Sequence, residues 1–134
     1  MANLQLLRER YVQDAIETAS PARLLTMLFD RLCLDLEIAE QALRDHELAT
    51  ASDRLVHAQD IVIELQSSLD ATAWAGAAQL AQLYAFVFRR MIDANVAKDP
   101  VVVAECRRIV EPLRETWHAA ARLQHAGQPL STSA

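Results

Sequence analysis

Apolar residues recur along this chain at alternating steps of three and four, the spacing that lines one face of a helix. Between positions 21 and 47 the row is Leu25, Leu28, Leu32, Leu36, Ala39 and Leu43; between 51 and 70 it is Ala51, Leu55, Ala58, Val62, Leu65 and Leu69. A third row, from 74 to 98, holds Ala77, Leu80, Tyr84, Val87, Met91 and Ala94. A fourth, from 100 to 125, holds Val103, Cys106, Val110, Leu113, Trp117 and Ala120.

Capping chemistry sets the starts of these four helices. Ser20-Pro21 and Asp99-Pro100 each place a side-chain acceptor at the N-cap and a fixed φ in the first turn. Thr50 with Asp53 offers a capping box for the second segment, and Thr72 can cap a third that begins near Trp74. Pro112 deletes a backbone hydrogen bond inside the last segment, which predicts a kink or break near Ile109. Residues 1–19 carry a thinner pattern (Leu4, Leu7, Tyr11, Ala15), expected as a short helix or arm against the bundle, and 127–134 reads as a frayed tail. The predicted fold is all-α: one domain over residues 1–126, an antiparallel four-helix bundle with an additional short N-terminal helix or arm.

Composition agrees with long helices and removes several functions. Only 2 Gly and 4 Pro punctuate a chain that is 52% hydrophobic and 23% charged, too apolar for a disordered segment and too poor in turn residues for a sheet. A net charge of −5 repels phosphate backbones, so nucleic acid is not an expected partner. Cys33 and Cys106 have no pairing or metal-ligand spacing. The Leu4 to Leu7 stretch is followed at once by Arg8, Glu9 and Arg10, unlike a secretory signal; a cytosolic protein with reduced thiols is expected. Ala71 to Phe88 lacks charge over a length at which a membrane span becomes conceivable. Gln79 and Gln82 within it oppose insertion, and a charge-poor soluble helix is the expectation.

Catalytic constellations are nearly absent. Glu115-Thr116-Trp117-His118 matches the Glu-x-x-His spacing of di-iron bundles, but those need two copies and further carboxylates; the single copy reads as a surface histidine. Asp53 and His57, one turn apart, read as a solvated pair. No histidine neighbours a cysteine, and two isolated glycines cannot form a phosphate loop. Nothing indicates an enzyme, a metal or a cofactor.

Beside the seams run second apolar stripes at helical spacing: Met27, Leu34 and Ile38; Val56 and Ile63; Ala81, Ala85, Phe88 and Ile92. One such residue is unremarkable on a surface, but stripes on three consecutive helices point to a groove for another chain. The alternative reading is a self-associating structural bundle whose stripes pair in a homodimer.

Tyr11, Ile16, Thr18-Ala19-Ser20-Pro21, Leu24-Leu25 and Met27-Leu28-Phe29-Asp30 form an ordered opening block. Ala58, Ile61-Val62, Glu64-Leu65 and Ser68-Leu69-Asp70 follow, then Leu83-Tyr84, Arg89-Arg90, Ala94-Asn95, and Leu113-Arg114-Glu115 before Trp117. In this order the blocks resemble the flagellin-specific export chaperones, the FliS family. Phe29 stands where a tyrosine is common in that family, Arg31 where a glycine is frequent, and Gly76 alone remains of a glycine pair. The resemblance implies a cytosolic chaperone without ATPase activity. It would bind the disordered C-terminal segment of flagellin, prevent premature polymerisation and assist delivery to the flagellar type III export apparatus. It also implies that the N-terminal arm, with Tyr11 and Ile16 as candidate cap residues, covers the client groove in the free protein.

Overall fold

The computed structural model describes residues 20–127. Four helices follow one another: α1 (Pro21–Arg44), α2 (Leu48–Ser68), α3 (Ala77–Ala97) and α4 (Pro100–Gly127). They form an antiparallel ring in which α1 packs along α2 and α4, and α3 closes the ring between α2 and α4 with less contact. No strand occurs among the described residues.

The two Pro-marked starts fold as the capping argument requires. Ser20 Oγ accepts from Arg23 N at 3.1 Å, and Asp99 Oδ1 accepts from Val101 N at 2.9 Å. Other boundaries differ from the sequence expectation. Helix α1 stops at Arg44 rather than 47, and α2 begins at Leu48 rather than 51. His46 turns left-handed (φ 57°) while Glu47 N donates to Ala42 O at 2.8 Å, a closing bond that reverses the chain within three residues. No residues remain for a Thr50 cap, and Glu47 takes the N-cap without a side-chain bond. Lys98 (φ 53°) repeats the device at the α3–α4 turn, where Asp99 N donates to Ala94 O at 3.1 Å.

Helix α3 starts at Ala77, not Trp74. Thr72 is held away from helical geometry because both its N–H and its hydroxyl donate to Asp70 Oδ1, at 2.9 and 2.7 Å. Gly76 then takes the N-cap against Trp74, where an added Cβ would run into the indole ring. Pro112 lies inside a continuous α4, so the predicted break does not occur. The proline's ring is exposed and the carbonyl it orphans, that of Arg108, costs little where water can reach it.

The core follows the four predicted seams except at the start of α1, where Phe29 is buried and Leu25 and Leu28 are only partly so. Phe29, Leu32, Leu36, Leu55, Val62, Leu65, Met91, Val103 and Cys106 are almost wholly excluded from water, with Ala39, Ala51, Ala58 and Ala94 packed among them. Only Ala120, at the far end of the α4 seam, is exposed. Phe29 and Tyr84 meet across the bundle with ring centroids 6.4 Å apart, and burial pushes the Tyr84 hydroxyl up to about 12. Phe29 is thus a fully buried hydrocarbon ring, where a phenol would have to find a partner.

Candidate partner-binding surface

Polar side chains that could have signalled catalysis are instead tied into two clasps on α1. The wholly buried Asp35 accepts from Arg54 Nη1 at 3.2 Å through one oxygen and from His57 Nδ1 through the other, with Arg31 Nε 3.7 Å away. The predicted Asp53–His57 pair is therefore replaced by one between helices, because Asp35 sits on the α1 face that meets α2. Arg31 flanks that carboxylate from the preceding turn.

On the opposite flank, Asp30 Oδ1 accepts from Arg114 Nε and from His118 Nε2, both at 2.6 Å. His118 is partly buried between α1 and α4 rather than standing free at the surface. Partial burial alone would raise the Asp30 carboxyl, but hydrogen bonds from His118 and Arg114 outweigh it and hold the group below its ordinary value. Burial pushes both thiols, Cys33 and Cys106, up to about 11, so neither is an activated nucleophile. Among the described residues no group of three or more His, Cys, Asp or Glu side chains could hold a metal ion, and no helix is long and apolar enough to cross a membrane.

The surface also carries large apolar side chains that no neighbouring helix covers. Val56 and Ile63 are each nearly half exposed on the margin of α2 that faces α3, and Ser52, on the same flank, accepts from Asn95 Nδ2 of α3 at 3.3 Å. Ala81, Ala85 and Phe88 are partly buried on the adjoining margin of α3, with Ile92 39% exposed beside them. These six residues form one surface across the α2–α3 junction.

Met27, Leu34 and Ile38 do not join it. They lie on the outer side of α1, diagonal to α3 in the ring. Leu34 and Ile38 edge a separate groove against α4 that Glu37, Arg107, Arg108 and Glu111 surround with charge. The nine stripe residues therefore make two surfaces, not one groove. Tyr11 and Ile16 lie outside the described residues.

Sequence reasoning passed over Phe86 (43% exposed) and Val96 (80% exposed), which stand on the outward ridge of α3. Their spacing from Arg89 and Asp93 was the available signal. Trp74, where the sequence predicts the start of a helix, is exposed in the α2–α3 connection.

A family model described as "Flagellar protein FliS" matches residues 3–124. The chain belongs to the FliS family. It is 28% identical over 110 residues to the "Flagellar secretion chaperone FliS" of Bacillus subtilis (strain 168), covering 82% of each chain. The relative of the same name from Salmonella typhimurium is 29% identical over 108 residues, 79% of this chain and 80% of that one. That of Escherichia coli (strain K12) is 30% identical over 108 residues, 79% of each. FliS is a family of chaperones rather than enzymes, which fits the use of Asp35 and Asp30 to join helices.

Proposed function

We propose that this chain is a cytosolic flagellar export chaperone. It would bind the disordered C-terminal segment of flagellin, prevent its premature polymerisation and assist its delivery to the flagellar export apparatus. The observation that carries the reading is the apolar surface across the α2–α3 junction in a member of a secretion-chaperone family. A segment that orders as it binds loses conformational entropy, and burial of apolar side chains is what offsets the loss. Residues 1–19, with Tyr11 and Ile16, are proposed to cover that surface until the client displaces them. Covering it limits aggregation and lowers apparent client affinity.

Calorimetric titration of a flagellin C-terminal peptide tests the reading; no binding at tens of micromolar overturns it. Covering the exposed half of Ile63, on the order of 80–90 Å², contributes about 2 kcal/mol, so Ile63→Glu should weaken binding by roughly 30-fold or more. Phe88→Glu should act alike, and deleting residues 1–19 should tighten binding. Leu34→Glu separates the two surfaces, since a client confined to α2–α3 leaves it without effect.

A further inference from the structure

The outward ridge of α3 is Gln79, Gln82, Phe86, Arg89, Asp93 and Val96, all exposed and following steps of three and four. This row points away from both neighbouring helices. Arg90, beside it, turns inward to Glu105 of α4 at 2.8 Å and to Asp93 Oδ2 at 3.3 Å. Arg89 makes no ion pair among the described residues, and the Asp93 side chain is 59% exposed with its second oxygen open.

The order of these residues is self-complementary. In an antiparallel pair of α3 helices related by a two-fold axis at the level of Met91, position 89 lies opposite 93 of the second copy, and position 86 opposite 96. The same register therefore sets Arg89 against the second copy's Asp93 and Phe86 against its Val96, and the symmetry makes each contact twice. A register shifted by one turn in either direction loses the ionic match. We propose that this ridge is a homodimer surface whose occupant is the same ridge on a second copy of the chain, in that register. A single helix pair buries less than the roughly 1,200 Å² of a stable interface, so the dimer is weak and populated only at high concentration.

Sedimentation velocity of the full chain from micromolar to millimolar concentration tests this, with the mass expected to rise from 14.9 kDa towards twice that value. Arg89→Asp alone and Asp93→Arg alone each place like charges opposite at two symmetric points, and each should weaken association by about tenfold or more. The double exchange Arg89→Asp/Asp93→Arg restores the match and should recover the wild-type curve, which a surface that merely tolerates association would not do. Circular dichroism checks that each variant stays helical, and Val96→Glu gives an independent variant at the apolar contact, six residues from Arg90. A wild type that stays at the monomer mass throughout overturns the proposal. So does a dimer indifferent to Arg89→Asp, or a double exchange that fails to recover while remaining helical.

Discussion

Replacing Asp35 by alanine removes the clasp between α1 and α2 at its centre. The wild-type carboxylate has no solvent contact and accepts from Arg54 and His57. A hydrogen bond to an ionised group contributes about 1.5–3 kcal/mol. The Arg54 and His57 side chains are 34% and 48% exposed, so water recovers part of each interaction once the carboxylate is gone. The net loss is then roughly 2–3 kcal/mol for the two together. For a chain of this length that lowers Tm by about 6–12 °C. Urea unfolding followed by far-ultraviolet circular dichroism measures it. Asp53→Ala, which removes the acid one turn before His57 on the same helix, should fall within about 0.5 kcal/mol of wild type. A cycle combining Asp35→Ala with Arg54→Ala should give a coupling near 1 kcal/mol or above. An Asp35→Ala cost below about 1 kcal/mol, or an Asp53→Ala cost equal to it, would refute the assignment of the clasp.

Asp30 supplies the pH counterpart. Its carboxyl is held below the ordinary value of 3.8, so its contribution is fully present above that pH and is lost as pH falls through the lower, folded-state value. Asp30→Asn should therefore be less stable than wild type at neutral pH, and the gap should close in acid-unfolding curves. Lys98→Gly should stabilise the protein by about 0.5–1 kcal/mol, because glycine adopts the left-handed α3–α4 turn (φ 53°) without a Cβ penalty. Thermal melts measure this, and an unchanged or lower midpoint counts against it. Raising both thiols from 9.0 to about 11 should slow alkylation of Cys33 and Cys106 near neutral pH by roughly 100-fold relative to the unfolded chain. Mass spectrometry before and after denaturation reads the difference.

The bundle was legible because its signal is periodic and redundant: each seam repeats an apolar position over five or six turns, so one irregular residue cannot erase it. The boundaries were not, because they depend on single backbone conformations. Nothing in the residue type announces that His46 and Lys98 adopt the conformation usually given to glycine. Nor does it announce that Asp70 would bind the residue expected to cap α3. The clasps were hidden for another reason. Asp35 and His57 are 22 positions apart, and only the ring order of the helices brings them together. The ring order also explains why three stripes became two surfaces, since a helical wheel gives the angle of a stripe on its own helix but not the direction in which that helix faces.

Unequal attachment within the ring has a consequence for motion. Helix α1 is gripped along both flanks, by Asp35 towards α2 and by Asp30 towards α4, whereas α3 is joined to its neighbours by less contact and by partly exposed bonds such as Arg90 to Glu105. Amide protons of α1 would then exchange with solvent only when the whole domain opens, while those of α3 escape through smaller openings. The helix with the least grip also forms one wall of the apolar surface.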